Sequence, residues 1–108
     1  MKISIQGESG SFHEVAARLY FEYDDVEAIA QKLRDRSVVF VHEVREQPWR
    51  QKVVRFYDPD ENIIEVGESM EHVAFRLAQE GLPVERISEI TYMPVDYVVQ
   101  SIEKYPLG

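Results

Sequence analysis

The sequence predicts an α+β fold: one βαβββ unit followed by a helical extension. Three observations carry this. Residues 51 to 67 read as two strands joined by a turn. A helical stripe, Val26, Ile29, Ala30 and Leu33, sits between two strand-like stretches upstream of that hairpin. Beyond Gly67 the apolar spacing is helical throughout. At 108 residues the chain supports one domain with an adequate core. An apolar fraction of 44% and a charged fraction of 30% suit a globular protein in water.

Lys2 to Gln6 alternates, with Ile3 and Ile5 apolar, and reads as a short strand. Gly7 to Gly10 is a loop. Ser11-Phe12-His13-Glu14 has the form of a capping box, with Ser11 as N-cap and Glu14 reaching back. His13 falls in that first turn as an exposed residue. Residues 1–17 therefore form a strand and a linker, ahead of the unit at residues 18–67 and the tail at 68–108.

Arg18 to Tyr23 is the first strand of the unit. Leu19, Phe21 and Tyr23 point toward the following helix, and Arg18, Tyr20 and Glu22 toward the other face. Asp24 and Asp25 cap that helix, which ends near Arg36, where a positive charge suits the C-terminal end. Val38 to Val44 is the next strand. Its opening run, Val38 to Val41, is apolar without interruption, which predicts burial on both faces. Pro48 breaks the pattern, and Trp49 lies at the following strand start.

In the hairpin, Lys52, Val54 and Phe56 share one face of the first strand, and Val53, Arg55 and Tyr57 the other. Asp58 to Asn62 is dense in turn formers. Pro59 presets φ, and Asn62 tolerates the left-handed conformation better than most non-glycine residues. In the second strand Ile63 and Glu65 oppose Ile64 and Val66. The tail then offers three helices. Ser69 caps the first, with Met70, Val73, Ala74, Leu77 and Ala78 apolar, and Gly81 ends it. Pro83 opens the second, with Val84, Ile87 and Ile90. Pro94 opens the third, with Val95, Val98, Val99 and Ile102. His72 is expected to be exposed on the first of them.

Charge narrows the function. The net charge is −8, which disfavours both nucleic acid and an anionic membrane surface. The tail's spacing is reminiscent of a helix-turn-helix, but residues 68–108 hold seven acids against three bases, and the third helix offers only Lys104. A packing or dimer contact suits it better than DNA. There is no cysteine, hence no disulfide or thiol nucleophile. No signal pattern or long apolar run is visible, so the expected compartment is cytoplasmic.

Phe56-Tyr57-Asp58-Pro59-Asp60 followed by Ile63-Ile64-Glu65-Val66 resembles the last hairpin of the glyoxalase / bleomycin-resistance / extradiol-dioxygenase superfamily, the vicinal oxygen chelate proteins. The likeness runs upstream through Gln47-Pro48-Trp49 to Leu19. The family usually has Gly at the end of this turn, where this chain has Glu61. The resemblance implies a curved mixed sheet with an open concave face. It also implies that Glu65 stands at the position of a metal ligand. The usual partner, a His, aligns with Arg18, and an arginine cannot ligate a metal. His42 is a further candidate ligand off the family's positions. Glu65 is alternatively expected to pair with Arg18 or Arg55. The family's two modules pair to form the cavity, so one module implies a homodimer. On this view Lys2 to Gln6 stands where a first module's last strand ends, and the chain is a half-sized version or a fragment.

A second likeness covers only the start. Ile5-Gln6-Gly7 with Gly10-Ser11-Phe12-His13-Glu14 and Ala16-Ala17 resembles the opening of prephenate dehydratases, but the Thr-Arg-Asp-Phe element of that family is absent from the sequence. Three readings follow. The first is a protein binding a small polar or anionic molecule through Arg18, Tyr20, Glu22, Trp49 and Arg55. The second is a lyase, isomerase or resistance enzyme using a divalent metal on Glu65. The third is an assembly module without catalysis.

Overall fold

The computed structural model describes residues 2–5 and 19–105. In chain order these form β1 (Lys2–Ile5), β2 (Leu19–Glu22), α1 (Val26–Asp35), β3 (Phe40–Glu46), β4 (Lys52–Tyr57), β5 (Ile63–Gly67), α2 (Met70–Gln79), α3 (Val84–Thr91) and α4 (Val95–Glu103). Two units emerge. One holds the described residues up to Arg45 together with Lys52–Glu68; the other holds Glu46–Gln51 with the residues from Ser69 onward. The capping box at Ser11, His13 and Arg18 lie outside the described residues. Among the described residues no helix is long and apolar enough to cross a membrane.

The first unit is a five-stranded sheet in the order β1-β2-β5-β4-β3. β2 runs parallel to β5, while β4 on β5 and β1 on β2 are antiparallel, so the sheet is mixed. The βαβββ unit is β2 to β5, with α1 in the crossover that a parallel pair requires. Alternation then fixes the faces. Phe21, Phe40, Val44, Val54, Phe56 and Val66 pack with Val26, Ile29 and Ala30 of α1 in one cluster.

Helix α1 starts at Asp25, whose carboxylate accepts the Ala28 N–H at 3.1 Å. It ends in a Schellman motif: Val38 N–H bonds Leu33 O, and Ser37 N–H bonds Arg34 O. Ser37 takes φ 57° there, a position that normally goes to glycine. Helix α2 ends the same way, Leu82 N–H to Leu77 O and Gly81 N–H to Ala78 O, with Gly81 at φ 97°.

One expectation about the strands is corrected. The apolar run Val38 to Val41 is not buried on both faces. Val39 is 66% exposed and Val41 39% exposed, while Phe40 packs in the core. The reason is layering: Phe40 faces α1, while Val39 and Val41 alternate onto the opposite face, which stays exposed at this strand. The left-handed residue of the β4–β5 turn is Glu61, at φ 65°, not Asn62. Asn62 is instead tied down, its backbone N–H and side-chain amide both donating to the Asp58 carboxylate at 2.8 and 3.1 Å.

The second unit packs α2, α3 and α4 around Val73, Ala74, Leu77, Ile87 and Val98. Ser69 caps α2 by accepting the His72 N–H at 3.2 Å. His72 is not exposed as expected. It is half-buried, with its ring 5.4 Å from that of Tyr105 and 6.1 Å from that of Phe75. In the segment 46–51, Arg50 reaches Glu46 and both carboxylate oxygens of Glu80, the latter at 3.1 Å. Arg76 donates to the Arg50 carbonyl. These acids raise the Arg50 pKa above its ordinary value, Glu46 first through its hydrogen bond. Lys104, bonded to Glu71 at 2.8 Å, is raised likewise, by that bond first.

Candidate functional site

The site is the face of the sheet turned away from α1. Register places its residues in rows. Tyr20 on β2 stands opposite Glu65 on β5, and Glu65 stands opposite Arg55 on β4. One row is therefore Tyr20, Glu65, Arg55. The next is Glu22, Gly67 and Val53, and Ile63 lies across from Tyr57 at the turn end. Directly opposed side chains on one face stand close enough to bond.

Arg55 and Glu65 do so. Arg55 Nε donates to Glu65 Oε1 at 2.7 Å, and the two side chains are only 17% and 15% exposed. Of the two pairings open to Glu65 from the sequence, this is the one the described residues contain. A charged bond so far out of water is worth more than a surface pair, and each partner depends on the other for solvation. Tyr20, Glu22 and Arg55 each make further interactions.

The remaining predicted residues fall elsewhere. Trp49 lies in the 46–51 segment, not on a strand of this face, and its indole N–H donates to Gln51 Oε1 at 2.9 Å. His42 shares the α1 side of β3 with Phe40 and Val44, by alternation. Its Nδ1 is 2.8 Å from the Glu43 carbonyl, so that nitrogen carries the proton. It is on the wrong side of the sheet to share a ligand with Glu65.

A divalent ion requires several oxygen or imidazole donors converging on one point. Among the described residues no group of three or more His, Cys, Asp or Glu side chains is placed to hold one. Glu65, the residue the family hairpin would use, has a guanidinium 2.7 Å from its oxygen. That cation occupies the electrostatic role a metal would take. The described residues do not fit a metal here.

The sequence reading missed what orders the turn beside this face. Asp58 accepts from Asp60 N–H, Asn62 N–H and the Asn62 amide, while its own backbone bonds Asn62 O and Glu61 N–H. An Asp followed two and four residues later by exposed amides is the available signal, and it was read only as turn composition.

A protein of unknown function from Agrobacterium tumefaciens str. C58, solved by crystallography, is 39% identical over 61% of this chain and 50% of its own, with a TM-score of 0.44. The chain thus spans about half the length of that protein. Among curated proteins there is no match. The glyoxalase-like domain family matches residues 2–71, which take in β1, the whole βαβββ unit and the first residues of α2. The chain belongs to the glyoxalase-like domain family of the vicinal oxygen chelate superfamily.

Proposed function

We propose that the chain binds a small polar or anionic molecule on the open face of its sheet, without a metal, and does so as a homodimer. The observation that supports this is the row Tyr20, Glu65, Arg55. It puts a phenol, a carboxylate and a guanidinium side by side on the face away from α1. Arginine's planar fork suits carboxylate and phosphate groups, and the bond to Glu65 holds it in place before a ligand arrives. The dimer rests on cover. One βαβββ unit leaves an edge at β3, where Val39 and Val41 are exposed, and a second copy is the economical way to protect it.

The test is light scattering across a concentration series, followed by thermal-shift titration with small carboxylates and phosphate esters. The expected results are a dimer mass and a saturable stabilisation that Arg55→Ala abolishes. A monomer at all concentrations rules out the paired cavity. Binding that survives Arg55→Ala rules out the sheet-face site, and binding that needs an added divalent ion rules out the metal-free reading.

A further inference from the structure

An open cleft of about 450 Å³ lies at the turn end of the first unit, and none of Tyr20, Glu22, Arg55 or Glu65 lines it. One wall is the α1–β3 connection and the other is the β4–β5 turn. The size lies within the range of small-molecule pockets. Its floor is apolar: Val38, Val39, Tyr57 and Pro59, with Val39 66% and Tyr57 37% exposed. Its charged groups are Arg36 on one wall and Glu61 on the other. Among the described residues neither of these side chains forms a hydrogen bond or an ion pair. Asp58 also borders the cavity, but its carboxylate is committed to the turn's own donors.

Both walls are held in place. Ser37 ends α1 in the left-handed region, and Glu61 closes the turn in the same region. Tyr57 N–H bonds Val39 O at 2.9 Å, which ties one wall to the other. Strained residues of this kind persist where surrounding bonds enforce them, and they gather at binding sites. A preformed apolar floor between one uncommitted cation and one uncommitted anion selects for a ligand carrying both charges.

We infer that this cavity binds a free α-amino acid with an aromatic or branched aliphatic side chain. Arg36 takes its carboxylate, Glu61 its ammonium group, and Val38, Val39, Tyr57 and Pro59 its apolar body. The site uses none of the sheet-face residues Tyr20, Glu22, Arg55 and Glu65; it shares only Val39 with the surface that the proposed dimer covers.

The experiment is a ¹⁵N-correlated NMR titration of the full chain with L-phenylalanine and L-leucine. Expected are saturable shifts confined to amides of residues 36–39 and 57–61. Arg36→Ala and Glu61→Gln, both at exposed positions and checked for an otherwise unchanged spectrum, each weaken binding by about tenfold or more, the loss of one charge-assisted contact. 3-Phenylpropionate, which lacks the ammonium group, and phenethylamine, which lacks the carboxylate, each bind more weakly by a similar factor. The location of the shifts, at residues 36–39 and 57–61 rather than at 20, 22, 55 and 65, separates the site from the sheet face. Absence of saturable shifts overturns the inference. So does undiminished binding in Arg36→Ala, equal binding of either single-charge analogue, or shifts centred on residues 20, 22, 55 and 65.

Discussion

The pair Arg55–Glu65 gives a double-mutant cycle with a defined answer. A fully exposed ion pair contributes about 0–1 kcal/mol, and breaking a fully buried one costs about 3–5 kcal/mol. At 17% and 15% exposure and 2.7 Å, this pair stands nearer the buried limit. Arg55→Met leaves a carboxylate largely out of water with its closest cation gone, and Glu65→Leu does the converse. Each should cost about 2 kcal/mol. Arg55→Met is the costlier, since Arg55 has interactions beyond Glu65. The double variant removes both charges and leaves two apolar groups facing each other across the strands. Its cost should be about 1–2 kcal/mol rather than the sum, a coupling of about 2–3 kcal/mol. The assay is urea unfolding of all four proteins with unchanged m-values, with amide exchange in β4 and β5 as the local readout. The coupling should persist in high salt, because ions screen buried pairs poorly. Additive single costs, or singles within about 0.5 kcal/mol of wild type, refute the placement of this pair.

The other expectations are shorter. Ser37→Gly and Glu61→Gly should each stabilise the chain by about 0.5–1 kcal/mol, since a left-handed non-glycine residue costs about 1–2 kcal/mol and glycine's extra unfolded-state freedom returns part of that; a lowered melting midpoint contradicts the assigned φ values. Asp58→Ala should destabilise by about 2 kcal/mol, because two backbone N–H groups and the Asn62 amide lose one acceptor group, and urea unfolding measures it. Adding Zn²⁺, Mn²⁺ or Ni²⁺, or removing metals with a chelator, should leave the melting midpoint unchanged; a saturable shift lost in Glu65→Ala overturns the misfit. For Lys104, the raised folded-state pKa means its contribution is fully present below the ordinary lysine value and lost as pH rises through the folded one, so it is constant near neutrality. NMR titration of its side chain should give a midpoint above free lysine, and above that of a Glu71→Gln variant.

What was legible in the sequence was local. The two faces of β4 and β5 follow from alternation, which puts Arg55 and Glu65 on the same face, the one turned away from α1. The helix caps at Asp25 and Ser69 and the stop at Gly81 follow from residue chemistry within a few positions. What failed depended on neighbours distant in the chain. Whether Val39 and Val41 are buried is set by what layers over their face of the sheet, which one strand's composition does not state. His72 is half-buried because Tyr105, 33 positions later, comes back against its ring. The turn's left-handed residue was not legible for a subtler reason: Asn62 has the better intrinsic tolerance of positive φ, but the bond from Glu61 N–H to Asp58 O and the two from Asn62 to the Asp58 carboxylate decide the geometry.

Of the five left-handed positions among the described residues, Arg50 and Tyr92 do not line the cavity, and the other three allow strain to be separated from function. Ser37 and Gly81 sit at the same place in two Schellman motifs, and Glu61 closes the hairpin turn. Gly81 adopts φ 97° freely, while Ser37 and Glu61 carry a steric cost. Those two are also the pair that borders the cavity between the α1–β3 connection and the β4–β5 turn. If side chains were tolerated there only because the cost is small, glycine at either place should raise stability and change nothing else. If Glu61 serves the cavity, its two substitutions part company from that at Ser37. Ser37→Gly keeps Arg36, Glu61 and the apolar floor, so it should be more stable and bind an amino acid as before. Glu61→Gly should gain similar stability and lose the ammonium contact. A variant that is more stable yet binds less well marks Glu61 as a residue held against its backbone preference by the charge it presents. Equal binding in both variants would leave its place in the turn as accommodation by the Asp58 bonds alone.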